Sequence, residues 1–307
     1  IYGLSPVSGG GSAQAEFEIL CGAPSILEYG TEFNRIGEGH TSCLPNYLKK
    51  FGYQTIASQP MYGSFFNIEQ AYKSIGFEVS YLTPSYDMSE KINGWLTDSS
   101  LFKQHFELIK TYISNKKPIL NYIFAVGCHS ALGQKSAYEN LIKLPQLENL
   151  EDSLNCNSQS IQHLTEYVTK IQKIDPNSLI LILPDHYPPG VNGYEEAGYK
   201  CISKNQSSCP RDRKMRMILL GDDTEKYLNV QKFSYYEIPE LILSLISQNE
   251  LCKSVKCTIE DNLVNINGTI VDRIHLNLAE DQSLSSYHKD LYKSLLKETH
   301  LNSNDSK

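Results

Sequence analysis

The chain has 307 residues, 40% of them hydrophobic, with 28 Lys and Arg against 35 Asp and Glu for a formal net charge of −7. That length suits one large α/β domain or two smaller ones. The acidic balance, with no Lys/Arg cluster along a face, excludes a nucleic-acid partner as the leading reading, and no apolar run approaches a membrane span.

In chain order, Ser5 to Gly11 form a loop rich in Gly and Ser, and residues 13–20 then read as a helix. Ala15, Ile19 and Leu20 fall on one side of it, with Glu16 and Glu18 pointing elsewhere. A short amphipathic helix over 43–51 stops at Gly52, a strand covers 53–58, a helix over 67–75 stops at Gly76, and a strand covers 77–82. Residues 98–114 are helical, with Leu101, Phe102, His105, Phe106, Leu108 and Ile109 on the apolar side. Pro118 opens an apolar strand through Val126, closed by Gly127-Cys128-His129. A long helix over 153–174 turns Leu154, Ile161, Leu164, Val168 and Ile171 inward. Buried strands follow over 179–183 and 216–220, then a helix over 239–247.

From Leu251 the character changes. Residues 262–271 hold Asn267-Gly268 between short apolar stretches, a hairpin signal. A polar, peripheral helix is expected over 284–299. Strands alternating with helices predict an α/β fold, a mainly parallel central sheet with helices on both faces. The expected division is a catalytic domain over 1–250 and a small hairpin-plus-helix extension over 251–307. The chain opens on Ile1 without a signal peptide and reads as a piece of something longer.

In such sheets the site lies at the carboxyl ends of the strands. His129 and the pair Asp185-His186 each follow an apolar strand, so they are placed to meet at one edge. Ser12 stands at the loop-to-helix junction Gly9-Gly10-Gly11-Ser12, where backbone N–H groups point at an incoming phosphate or sulfate. A hydroxyl is a poor nucleophile at neutral pH, and a metal ion lowers its pKa and fixes its direction. Asp185 and His186 supply an oxygen and a nitrogen ligand, a pair suited to Zn²⁺ or Mn²⁺. His129 suits a hydrogen bond to the transferred group or protonation of a leaving oxygen. Taken singly, each has an everyday alternative: a flexible turn, a helix cap, a satisfied histidine. His40, His105, His163, His275, His288 and His300 receive no partner from the sequence.

Eight cysteines are many for a cytosolic enzyme. Cys201 with Cys209, and Cys252 with Cys257, are local pairs without Cys-x-x-Cys spacing. Loop-closing disulfides in an oxidising compartment are favoured over scattered thiols. Cys128 and Cys156 are left unassigned.

The stretch from Gly9 through Ser12, Glu16 and Cys21 to Gly22 resembles the nucleophile segment of lipoteichoic acid synthase-like enzymes. These are metal-dependent phosphoglycol and phosphoethanolamine transferases with the sulfatase fold, in the alkaline phosphatase superfamily. The family usually carries Thr where this chain has Ser12. Cys21-Gly22-Ala23-Pro24-Ser25 ahead of Cys43 is similar to the Ser-using cellulose phosphoethanolamine transferases and implies a Cys21–Cys43 disulfide. Leu44 through Thr55, Phe65-Phe66-Asn67, Ala71 through Phe77, Asp185-His186-Tyr187 and Ser234 through Pro239 follow the family order.

The resemblance implies Ser12 as nucleophile with His129 assisting. Ser12, Asp185 and His186 become ligands of a divalent Zn or Mn ion, and Gln59, Phe66 and Asn67 line the substrate pocket. It implies a phospholipid donor, a glycan or lipid acceptor, and a site on the periplasmic or extracytoplasmic face, held there by an anchor upstream of this chain. The family's first acidic ligand precedes the nucleophile, and no acidic residue precedes Ser12 here. Glycerol-phosphate users carry His, Trp and Arg where Gln59, Phe66 and Ile68 stand, which favours phosphoethanolamine. A hydrolase of the same fold and an inactive glycan-binding relative are the competing readings.

Overall fold

A computed structural model describes residues 2–4, 11–23, 25, 31–36, 43–129, 141–186, 214–222, 232–246, 263–266 and 269–272. The sheet nearest the middle of the chain is parallel, in the order β3-β2-β6, with β2 at Gln54–Ser58, β3 at Val79–Tyr81 and β6 at Ile119–Ile123. Ile56 pairs with Val79 on one side and Asn121 on the other. A second sheet has β1 (Tyr2–Leu4) between β8 (Lys214–Arg216) and β10 (Lys232–Ser234), antiparallel to the first and parallel to the second. β7 (Ile180–Ile182) pairs antiparallel with β9 (Ile218–Leu220).

Adjacent residues of β2 show why helices lie on both faces. Side chains alternate along a strand. Ala57 packs with α1 (Ser12–Cys21) and α3 (Ile68–Ile75) through Ala13, Phe17, Ile68, Tyr72 and Ile75. Ile56 packs instead with α4 (Asp98–Ser114) and α5 (Glu148–Ile174) through Phe102, Ile109, Tyr167, Val168 and Ile171. Each fully buried large apolar side chain contributes about 1.5–3 kcal/mol by leaving water. The α/β architecture with a parallel sheet flanked by helices is the one the sequence predicts.

α1 departs from its predicted amphipathic form. Glu16 and Glu18 do not point to solvent: they are 1% and 0% exposed. Ala13 and Phe17 face one apolar cluster, while Ala15 and Ile19 face another with Met215, Met217 and Ile238. A helix packed on both sides has no polar face to give its carboxylates. The outer half of α5 also differs, because Leu154 and Ile161 are exposed while Val168 and Ile171 are buried.

The predicted strand over 216–220 is two strands in two sheets, β8 and β9, meeting at Met217. The predicted strand over 179–183 is half-buried rather than buried. A small hairpin, β4 (Lys91–Ile92) with β5 (Trp95–Leu96), was not predicted although its loop is Asn93-Gly94, both at positive φ.

α2 (Leu44–Lys50) and α6 (Ile238–Ile246) lie where expected. α6 is preceded by a turn over Tyr235–Glu237 closed by a capping box between Ser234 and Glu237. The hairpin expected around Asn267-Gly268 forms, with β11 (Leu263–Ile266) antiparallel to β12 (Thr269–Asp272). The helix expected over 284–299 lies outside the described residues. So do all four cysteines of the expected local disulfides, Cys201 with Cys209 and Cys252 with Cys257. The disulfides among the described residues are two others, Cys21–Cys43 and Cys128–Cys156. Among the described residues, no helix is long and apolar enough to cross a membrane.

Candidate active site

Gly11 ends the loop before α1 at φ 111, a conformation that favours glycine, and its carbonyl accepts from the N–H groups of Gln14 and Ala15. No side chain caps this end of the helix. Ser12 therefore sits in the first turn, at the positive end of the helix dipole, beside N–H groups able to meet an anion.

Residues 173 and 174 positions further on come back to it. The Ser12 hydroxyl donates to Asp185 Oδ2 at 2.6 Å and lies 3.2 Å from His186 Nε2. His186 Nε2 and Asp185 Oδ2 are 3.1 Å apart. Asp185 is steadied by the His186 backbone N–H, which donates to its Oδ1 at 2.9 Å. The Tyr235 hydroxyl donates to the Pro184 carbonyl and anchors the end of the strand that presents the pair. The side chains of His186 and Asp185 are 13% and 25% exposed, so the cluster is sheltered yet reachable.

The three donors suit a metal ion by chemistry and by spacing. Oxygen, oxygen and nitrogen are ligands Zn²⁺ accepts, and a tetrahedron with bonds of about 2.0 Å has edges of about 3.3 Å. Separations of 2.6, 3.1 and 3.2 Å approach one face of such a polyhedron.

His129 follows β6, exposed at the end of a turn whose backbone is held by neighbours. Its ring stands 4.9 Å from Trp95. The preceding Gly127 N–H donates to Asp98 Oδ1 at 2.8 Å, and Ser160 of α5 donates to the other Asp98 oxygen. A Cβ on Gly127 would meet Asp98 Oδ1 at 2.5 Å, so the close approach demands glycine. Burial raises the Asp98 carboxyl above its ordinary value, against the lowering effect of Ser160 and Gly127. Cys128 and Cys156, which the sequence left unassigned, form a disulfide from this turn to α5. The Cys21–Cys43 disulfide is present as the resemblance implies and ties the far end of α1 to the start of α2.

The residues expected to line the pocket divide. Phe66 and Asn67 form a turn ahead of α3 with φ of 48 and 58, positive values uncommon for non-glycine residues. Asn67 Nδ2 donates to the Phe33 carbonyl at 3.2 Å, which holds the turn. Phe66 is 39% exposed and packs on Phe65, which reaches towards Trp95. The result is an aromatic shelf running to His129. Gln59 is 3% exposed, and its side chain meets Tyr72 and Met61.

Sequence reasoning missed Glu16. It lies four residues beyond Ser12, hence on the same helix face, and that spacing was the available signal. Burial pushes its carboxyl up to about 7, opposed by its hydrogen bonds with Tyr72 and Tyr122 and helped by the nearby Asp185 charge. His105 lies on the buried side of its helix, as expected, but its polar partners were not foreseen. It is buried between Ser58 and Asn121 (2.8 and 3.1 Å), and burial lowers its pKa to about 4.

The family profile described as Sulfatase matches residues 4–210. The chain is 24% identical over 220 residues to a putative cyclic beta-1,2-glucan modification protein of Rhizobium meliloti (strain 1021), covering 68% of this chain and 34% of that one. It is 27% identical over 211 residues to lipoteichoic acid synthase 1 of Bacillus subtilis (strain 168), covering 67% and 30%. The chain thus spans about a third of the length of these curated relatives. Among solved structures, the lipoteichoic acid synthase LtaP from Listeria monocytogenes matches with a TM-score of 0.72 at 17% identity, over 98% of this chain and 82% of that one. That likeness shows the fold.

Proposed function

The chain belongs to the sulfatase family, and from that premise we propose that it is a metal-dependent transferase. It moves a phosphoethanolamine or phosphoglycerol group from a phospholipid to a glycan or lipid acceptor through a covalent intermediate on Ser12. The observation that carries this reading is the convergence of Ser12 with Asp185 and His186 at the start of α1. Ser12, Asp185 and His186 are the residues that would hold the ion, Zn²⁺ or Mn²⁺. When bound, it supplies Lewis-acid stabilisation of charge on the phosphoryl oxygens.

The remaining steps belong to the chain. The Ser12 hydroxyl already points its proton at Asp185, which leaves a lone pair to face a phosphorus atom. Attack forms the Ser12 O–P bond and breaks the bond from phosphorus to the diacylglycerol oxygen. That oxygen takes a proton from His129. An acceptor hydroxyl then gives its proton to His129 as its oxygen displaces Ser12, which takes back the proton it had passed to Asp185. The α1 N–H groups offset the charge on the phosphoryl oxygens. Phe66 and Asn67 serve as one wall of the pocket, with Gln59 behind it.

Phosphoethanolamine is favoured over phosphoglycerol. Ile68, which stands where glycerol-phosphate users resemble one another in carrying Arg, is 1% exposed in an apolar cluster and brings no cation to the pocket. Two disulfides among the described residues support work outside the cytoplasm.

The test is mass spectrometry of the protein after incubation with Zn²⁺ or Mn²⁺ and vesicles of phosphatidylethanolamine or phosphatidylglycerol. An adduct on Ser12 with the mass of either headgroup phosphate establishes the nucleophile and names the donor. Headgroup phosphate released to water, even with acceptor glycans present, points to the hydrolase. Neither adduct nor release from either lipid overturns the reading and leaves a binding role.

A further inference from the structure

Behind Ser12 lies a closed group of polar side chains that the proposed reaction does not use. Glu16 is 1% exposed, and its Oε1 has two hydroxyls against it: Tyr72 of α3 at 2.6 Å and Tyr122 of β6 at 2.9 Å. The Tyr72 hydroxyl also lies 2.7 Å from Gln59 Oε1, and Gln59 Nε2 faces the Met61 sulfur at 3.3 Å. Among the described residues no Lys, Arg or His forms an ion pair with Glu16. Its nearby charge is Asp185, of the same sign were Glu16 ionised.

Counting protons decides the state of the group. The three short oxygen–oxygen contacts need one proton each, and the two tyrosines supply only two. The third can come from Glu16 as a carboxylic acid. Glu16 then donates to the Tyr72 oxygen, Tyr72 donates to Gln59 Oε1, and Tyr122 donates to Glu16. The alternative turns the Gln59 amide over, so that its NH₂ supplies the missing proton and Glu16 is ionised. That arrangement sets Gln59 Oε1 against the Met61 sulfur, two acceptors with no proton between them. It also leaves a buried carboxylate without a cation, beside Asp185, at a cost of several kcal/mol.

We propose that Glu16 is a neutral strut: a protonated positioning residue that, through Tyr72 and Tyr122, clasps the Ser12 helix to α3, β6 and Gln59. Its consequence for catalysis rests on the reading of Ser12 as nucleophile. A neutral Glu16 fixes the direction of the first turn of α1 and adds no second negative charge behind Asp185 where an anionic phosphodiester must approach.

Two measurements test it. Infrared difference spectra of the wild-type protein against Glu16→Gln, at mildly acidic pH, should show the C=O stretch of one protonated carboxylic acid lost in the variant. Finding only carboxylate bands lost would overturn the neutral strut. This readout stands whether or not Ser12 forms an adduct, so failure of the proposed reaction is seen separately. Turnover of bis(4-nitrophenyl) phosphate then tests positioning. Glu16→Gln keeps a neutral hydrogen-bonding group and should hold kcat within about threefold, while Glu16→Ala and Tyr72→Phe lower it about 10–100-fold with KM little changed. A folded Glu16→Gln as inactive as Glu16→Ala, or a fully active Tyr72→Phe, overturns the role. Tyr72→Phe serves as the test if Glu16→Ala does not fold.

Discussion

Glu16 and His105 are both buried ionisable residues held neutral, and they push the pH dependence of stability in opposite directions. His105 donates through Nε2 to Asn121 and accepts at Nδ1 from Ser58, which is a complete set of partners for a neutral ring. Its pKa falls from 6.5 to about 4 on folding, so stability is intact above 6.5 and is lost as pH falls through 4. Glu16 rises from 4.5 to about 7, so its contribution is complete below 4.5 and is lost as pH rises through 7. Each displacement is worth at most about 3–4 kcal/mol. Between 4.5 and 6.5 the contributions of these two groups oppose one another and nearly cancel in the wild-type protein. Urea unfolding across that range checks this. Glu16→Gln should bare the His105 slope, with stability rising with pH. His105→Gln should bare the Glu16 slope, with stability falling. If both variants keep the wild-type slope, the two groups are not held neutral by the fold.

At the scale of elements, the turn after β6 is held at three points: Asp98 takes the Gly127 N–H, Ser160 of α5 takes the other side of Asp98, and the Cys128–Cys156 disulfide crosses to α5. With the cysteines 28 positions apart, the cross-link is worth about 3–4 kcal/mol through the unfolded chain. Cys128→Ser with Cys156→Ser should lower the melting temperature. It should also lower kcat on the chromogenic diester more than it raises KM, because His129 follows Cys128 directly. A loss of stability with kcat unchanged would show that the disulfide serves the fold alone.

These elements also show what the sequence could and could not reveal. The glycine-rich start of α1, the apolar runs of β2 and β6 and the stops at Gly52 and Gly76 are local signals, and they appear where expected. The Asn93-Gly94 hairpin was equally local and was overlooked. The Cys128–Cys156 pair was not legible, because spacing along a chain says nothing of distance across a helix. Glu16 and Glu18 were set apart from the apolar side of α1, where a carboxylate usually marks the wet side of a helix. Only the packing of apolar clusters on both sides of α1 reverses that.

Over the whole molecule, the donors around Ser12 come from opposite ends of the long middle of the chain. Ser12 opens α1, and Asp185 and His186 follow β7, with the parallel sheet and helices α2 to α5 between them. An ion held by all three binds only when that intervening structure is folded, so it must stabilise the fold as a unit. At a free concentration one hundred times its dissociation constant, the gain is about 2.7 kcal/mol. In a chain of this size each kcal/mol moves the melting temperature by roughly 2–4 °C. Treatment with a chelator should therefore lower the melting temperature of wild-type protein by several degrees, and Zn²⁺ or Mn²⁺ should restore it. Asp185→Asn keeps the shape of the side chain but removes its charge and should abolish the response, while His163→Gln, half-buried on α5 beside Glu166, should keep it. An equal response in Asp185→Asn would place the ion elsewhere in the protein, and Ser12 would then need another source of activation.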